Sequence, residues 1–219
     1  VVKALSEQAA TLNTHTRYLH EKVVRYAERL GATFPGDLKV CMFVCTGTEA
    51  NDLAFRIART VTGNDGAIVS SDSYHGNSMV VTELSTAEYP AKDRPDYLVA
   101  VEPPNGFRGS FRYGEADLGL KYATQVGSAI EELDRRGRKP AMLLFDGIFD
   151  ACGLFTAPPG YFRSAYEQVR AAGGLCVADE VQSGLCRLGD HMWGFEDSGV
   201  IPDIVTLGKP IGDGHPLAA

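Results

Sequence analysis

Apolar positions along this chain follow two different spacings. Leu19, Val23, Tyr26, Ala27 and Leu30 recur at helical intervals, with Gly31 as a plausible stop. Ala50, Leu53, Ala54, Ile57, Ala58 and Val61 form a second helical stripe, ended near Gly63. Two more helices are predicted, over about 120–136 with Val126, Ala129, Ile130 and Leu133 inward, and over about 161–172, closed by Gly173-Gly174. The other spacing is the short unbroken apolar run. Val40–Cys45, Ala67–Ser70, Tyr97–Val101, Ala141–Phe145, Leu175–Ala178 and Ile204–Leu207 all have this form and read as strands. Strands separated by helices predict an α/β fold, a three-layer sandwich whose mainly parallel sheet is covered on both faces. Residues 84–117, with several Pro, Gly and charged residues, are expected to hold surface loops.

The composition changes this picture only by exclusion. A length of 219 residues suits one domain with a substantial core. The net charge of −7, with no local Lys/Arg cluster, argues against nucleic acid as the main partner. No apolar stretch approaches a membrane span, and the start of the chain lacks a signal-peptide pattern. Cys41, Cys45, Cys152, Cys176 and Cys186 contain no CxxC pair and read as reduced, buried thiols of a cytoplasmic protein, with no metal site. Both ends read as cut. The chain opens without Met, close to a helical pattern, and stops at Pro216-Leu217-Ala218-Ala219, which reads as the start of another strand. A piece of a longer polypeptide is expected.

In parallel sheets ligands sit beyond the carboxyl ends of the strands, and four segments carry their chemistry there. Cys45-Thr46-Gly47-Thr48-Glu49-Ala50-Asn51 joins a strand to a helix, where Gly47, the Thr48 hydroxyl and free amides suit a phosphate. An ordinary capped helix explains the same residues, and neither a P-loop nor GxGxxG is present. Asp72-Ser73-Tyr74-His75-Gly76-Asn77 offers an aromatic ring for stacking on a flat ligand, or a polar turn. His75 has no partner at metal-ligand spacing. Asp179-Glu180-Val181-Gln182-Ser183-Gly184 ends an apolar run with two acids, and a carboxylate there calls for a cationic partner, a helix cap or a magnesium ion. Lys209 closes Ile204–Gly208 among glycines and prolines. A lysine so placed can act as an amine nucleophile, although most lysines are solvated surface residues. Lys209 and Asp179 together are the minimal apparatus for pyridoxal 5′-phosphate (PLP): an amine for its aldehyde and an acid for its pyridine nitrogen.

Taken in order, these segments resemble the class III aminotransferases, PLP-dependent enzymes of fold type I. The likeness runs from Asn13-Thr14-His15-Thr16-Arg17-Tyr18-Leu19-His20 through Thr46–Asn51, Tyr74–Asn77 and Asp179–Gly184 to Leu207-Gly208-Lys209-Pro210-Ile211-Gly212. It is nearest in detail to the branch of alanine–glyoxylate aminotransferase 2-like proteins and ethanolamine-phosphate phospho-lyases. The resemblance implies a helical lead-in over 1–36 and a PLP-binding large domain over 37–219, cut before a C-terminal small domain. It implies that Lys209 carries the cofactor aldehyde as a Schiff base and shuttles a proton. Asp179 would pair with the ring nitrogen, and Val181 and Tyr74 would face the ring, with His75 beside them. Gln182 would approach the phenolic oxygen, and Gly47 and Thr48 would hold the phosphate.

The implied reaction moves an amino group from an amine or amino acid to a 2-oxo acid or aldehyde, in a homodimer. A phospho-lyase acting on a phosphorylated amino alcohol and a catalytically incomplete PLP-binding fragment are the alternatives. Two departures stand out. Cys45-Thr46 replaces a serine or Asn-Ser pair before Gly47. Asp146-Gly147-Ile148-Phe149-Asp150 stands where the family commonly has Glu-(Pro/Ser)-(Val/Ile)-Gln-Gly, which puts dual-substrate handling in doubt. A nicotinamide dehydrogenase is disfavoured by the missing glycine fingerprint, and a hydrolase by the missing nucleophile elbow.

Overall fold

The computed structural model describes residues 1–15 and 17–219. Thr16, inside the Asn13–His20 part of the resemblance, lies outside the described residues. In chain order the elements are α1 (Val2–Thr11), α2 (Glu21–Gly31), α3 (Gly47–Thr62), β1 (Gly66–Ser70), α4 (Met79–Leu84), β2 (Leu98–Val101), α5 (Leu118–Arg135), β3 (Pro140–Asp146), α6 (Tyr161–Ala171), β4 (Leu175–Asp179), α7 (Gly194–Asp197) and β5 (Ile204–Thr206). Short 3-10 turns cover Ala91–Asp93 and Lys209–Gly212.

The strands form one sheet in the order β2-β1-β3-β4-β5, every neighbouring pair parallel. Successive side chains of a strand point to opposite faces, so each apolar run feeds two cores. Ile68, Leu143, Phe145 and Cys176 pack under α5 and α6 with Tyr122, Val126, Tyr161 and Phe162. Ala67, Val69, Met142, Leu144 and Val177 pack under α3 with Ala54, Phe55 and Ala58, and with Leu84 at the end of α4. Full burial of each large side chain contributes about 1.5–3 kcal/mol. This two-sided burial is why the strands read as unbroken apolar runs rather than as alternating ones. A third cluster flanks β5. Trp193 stacks on Phe34 at 4.3 Å and donates its indole N–H to Thr33 O at 3.1 Å, tying residues after α2 to the segment leading into α7.

Several expectations need correction. Val40–Cys45 is not a strand: its one bridge is the antiparallel pair Val44–Ala218, and a ladder needs consecutive pairs. The face buried by α3 is Ala50, Asn51, Ala54, Phe55 and Ala58, whereas Val61 is 67% exposed. The helix is rotated so that a polar Asn51 goes inward. In α2 only Leu30 and Gly31 are buried, and Leu19 lies before the helix, 90% exposed. All five cysteines are free, but only Cys176 is buried, while Cys45 and Cys186 are exposed. Helices α1, α4 and α7 were not predicted. The first buries no residue, and the other two are too short for a periodic stripe. Among the described residues no helix is long and apolar enough to cross a membrane.

Candidate active site

From β1 the sheet grows one way to β2 and the other way to β3, so the strand order reverses at β1. A crevice at such a reversal, beyond the carboxyl ends of the strands, is where parallel sheets bind ligands. A cavity of about 250 Å³ opens there. Gly47 and Thr48 reach it from the start of α3, Tyr74 and His75 from the loop after β1, Asp179, Val181 and Gln182 from the end of β4, and Lys209 from the turn after β5. The eight residues singled out from the sequence therefore line one cavity. Gly76, Asp146 and Asp150 complete its wall.

The first turn of α3 is a capped helix and also a cavity wall. Thr46 and Glu49 form a capping box: Glu49 N donates to Thr46 Oγ1 at 3.1 Å, and Glu49 Oε2 accepts from Thr46 N at 2.9 Å and Cys45 N at 2.8 Å. The amides of Gly47 and Thr48 are among the four that a helix start leaves without an intrahelical acceptor. With the positive end of a 16-residue helix behind them, they suit an anion. Gly47 is required for space, since a Cβ there would lie 2.9 Å from Val181 Cγ2.

Asp179 is the most constrained carboxylate in the site. At 5% exposure its Oδ2 accepts from His75 Nδ1 at 2.7 Å and Asn51 Nδ2 at 2.9 Å, and its Oδ1 accepts from Val181 N at 3.1 Å. His75 is itself held by Ser85 at the end of α4, whose hydroxyl accepts from His75 N at 2.9 Å. Glu180 points the other way. Buried at 2%, it accepts from Ser183 Oγ and from the amides of Gly194 and Phe195, each at 2.8 Å, and so organises α7 rather than the cavity. Burial pushes its carboxyl up, against those three hydrogen bonds. Strand alternation separates two acids that are adjacent in sequence.

Asp146 sits beside Asp179 in the β3–β4 register. Burial, then a hydrogen bond shared with Asp150, push Asp146 up to about 8, and the charge of Asp179 adds to the shift. Gln182 Nε2 donates to Asp150 Oδ2 at 2.6 Å. Lys209 adopts a φ of 44°, a left-handed conformation that costs an L-residue about 1–2 kcal/mol. Tyr74 is 42% exposed at the cavity edge.

Sequence reasoning passed over two residues here. Asn51 carried a signal: it shares the i, i+3, i+7 line of Ala54 and Ala58, so a polar side chain was bound for the buried face. Asp150 carried none beyond its departure from the family pattern.

The cavity fits PLP. It offers a primary amine at Lys209, a carboxylate held in one orientation at Asp179, and first-turn helix amides for a phosphate. His75 Nε2 is buried without a partner among the described residues, as expected of a wall that meets a ligand or water.

A family model described as "Aminotransferase class-III" matches residues 1–219. The chain is 39% identical, over 225 residues, to a Drosophila melanogaster protein named alanine–glyoxylate aminotransferase 2-like, covering 100% of this chain and 46% of that one. Among solved structures it is similar to a phospholyase from Arthrobacter in complex with phosphoethanolamine (TM-score 0.91, 40% identity, 99% of this chain and 51% of the other). It is also similar to taurine:2-oxoglutarate aminotransferase from Bifidobacterium kashiwanohense in complex with PLP and glutamate (TM-score 0.86, 25% identity, 99% and 50%). The chain thus spans about half the length of the proteins it matches.

Proposed function

The chain belongs to the class III aminotransferase family, whose cofactor is PLP, and on that footing we propose that the intact protein moves an amino group from an amine or amino acid to a 2-oxo acid or aldehyde. Residues 37–219 are its cofactor-binding large domain, and 1–36 lead into it. The reading rests above all on the meeting of Lys209, Asp179 and the first turn of α3 around one cavity.

When bound, PLP supplies an electron sink for charge that develops on the substrate carbon next to nitrogen. The protein does the rest. Lys209 Nζ would hold the cofactor through its aldehyde and, once released, would be the base that takes and returns the proton on that carbon. Asp179 would be the partner of the ring nitrogen. His75 and Asn51 hold that carboxylate in place and leave it little freedom to turn away. Gly47 and Thr48 would bind the phosphate with first-turn amides and a hydroxyl. Val181 and Tyr74 would flank the ring, and Gln182 would donate toward its phenolic oxygen.

A second reading keeps the same site and changes the outcome. The 40% identity to a phospholyase in complex with phosphoethanolamine supports elimination of phosphate from a phosphorylated amino alcohol. We further propose a cytoplasmic homodimer. Exposed apolar side chains at Leu19, Val40 and Met79, each more than 85% exposed, support a covering subunit.

Two measurements test these proposals. Borohydride reduction of the PLP-loaded intact protein, followed by peptide mapping, is expected to place the label on Lys209, and a label elsewhere or none overturns the site. Product analysis with amino acids and phosphoethanolamine separates the reactions: a new amino acid marks transamination, whereas ammonia, aldehyde and phosphate mark elimination.

A further inference from the structure

Beyond Asp146, the turn after β3 departs from the family pattern at two further positions that matter to the cavity. Phe149, where glutamine is common, is 2% exposed and stacks on Phe155 at 5.2 Å and Phe162 at 6.0 Å. Its φ of 47° lies in the left-handed region, a conformation that a bulky residue keeps only when its surroundings impose it. The aromatic cluster beneath the sheet supplies that constraint. The chain reverses at Phe149, and Asp150 N donates back to Asp146 Oδ2 at 2.7 Å while Ile148 N donates to Asp146 Oδ1 at 3.1 Å.

Asp150, where glycine is common, thereby puts a second carboxyl group into the cavity wall. Its Oδ1 accepts from Ala151 N at 2.7 Å and its Oδ2 from Gln182 Nε2 at 2.6 Å. Burial raises Asp150. Hydrogen bonds with Asp146, Gln182 and Ala151, and then the charge of Lys209, outweigh that effect and leave it below its ordinary value. Asp146 is shifted the opposite way. Of the two carboxyl groups, Asp150 is therefore the one held toward its charged form and Asp146 the one held toward its neutral form.

Resting on the reading above, we propose that Asp150 is a positioning residue: it takes one N–H of Gln182, which sets the way that amide faces, and it places a carboxylate on the cavity wall that Lys209 shares. An amide nitrogen carries two hydrogens. With one given to Asp150, the other stays available to an acceptor in the cavity, in the place expected of the cofactor's phenolic oxygen. A negative charge on the cavity wall favours positive charge held inside the cavity over its loss. The ionisable groups on the cavity wall are Tyr74 and His75 after β1, Asp146 and Asp150 after β3, Asp179 at the end of β4, and Lys209. Of these, Asp150 is the one that Gln182 holds.

Three variants of the PLP-loaded intact protein separate orientation from charge. Asp150→Asn keeps an acceptor for Gln182 but loses the charge. It is expected to lower the pH midpoint of the visible Schiff-base band by about one unit and to leave the Kd for PLP within about threefold. Asp150→Ala loses both, and is expected to lower the midpoint equally and weaken PLP about tenfold, as Gln182→Ala does. Unmoved midpoints in both Asp150 variants overturn the inference, and so does wild-type PLP affinity in Asp150→Ala beside a weakened Gln182→Ala. The label on Lys209 is read first in the wild type: its absence sinks the parent reading, whereas a labelled Lys209 with unmoved midpoints sinks only the role of Asp150.

Discussion

Asn51 and Asp179, 128 positions apart in the chain, are joined by a buried hydrogen bond of 2.9 Å. The same Asn51 amide nitrogen donates to His75 O at 2.8 Å, and its oxygen accepts from the Thr206 hydroxyl at 2.7 Å. One side chain near the start of α3 therefore ties together the ends of β4 and β5 and the loop after β1. Its donors and its acceptor are all used, so the orientation of Asp179 is set by the protein before any ligand arrives.

Asn51→Ala is expected to destabilise the protein by about 2–4 kcal/mol, because it leaves the His75 carbonyl and the Thr206 hydroxyl buried with fewer partners. The visible band of the PLP-loaded form is expected to shift as well, since Asp179 loses one of its two anchors on Oδ2. Urea unfolding and an absorbance spectrum check both. A change under about 0.5 kcal/mol with an unmoved spectrum would remove Asn51 from the positioning network.

Lys209→Ala is expected to abolish borohydride-reducible PLP while leaving weaker noncovalent binding. Asp179→Ala is expected to stop turnover although the Lys209 linkage still forms. Mass spectrometry of the reduced protein and initial rates distinguish the two. An unchanged rate in Asp179→Ala contradicts the electron-sink role of the ring.

Gly76→Ala tests the approach of the β1 loop to α3. Its φ is +140°, and an added Cβ would lie 2.9 Å from both Cα and Cβ of Thr48. The expected loss is more than about 2 kcal/mol of stability, with PLP binding weakened about tenfold as Thr48 is pushed from the place proposed for the phosphate. Thermal unfolding and fluorescence titration with PLP read the two effects. A variant as stable as wild type means the loop can move aside.

Asp146 gives the cofactor-free protein a pH signature. Its value is raised from 3.8 to about 8, so the stability it contributes is complete below pH about 4 and is lost as pH rises to about 8. Asp150 shifts the other way, and the stability it contributes is lost only on acidification below about pH 4, outside this window. A net fall of about 1–3 kcal/mol is expected between pH ~5 and ~8, most of it removed by Asp146→Asn. Urea midpoints at the two pH values in both proteins decide it, and an equal fall in the variant excludes Asp146 as the source.

Periodicity and composition were enough to read the five parallel strands, the helices α3, α5 and α6 and the order of the chemical segments, because each is a local property of consecutive residues. Phosphate-suited amides, an aromatic residue, an acid and a lysine at strand ends could be recognised without coordinates for the same reason. Tertiary structure alone decided which strand lies beside which, how far α3 is rotated, and that Val40–Cys45 meets Ala218 at one pair. Hence it alone brought Asn51 to Asp179 and Asp150 to Gln182. Those contacts join residues 128 and 32 positions apart, and their geometry depends on sheet order and on how helices seat over it, which no local pattern of apolar and polar residues encodes.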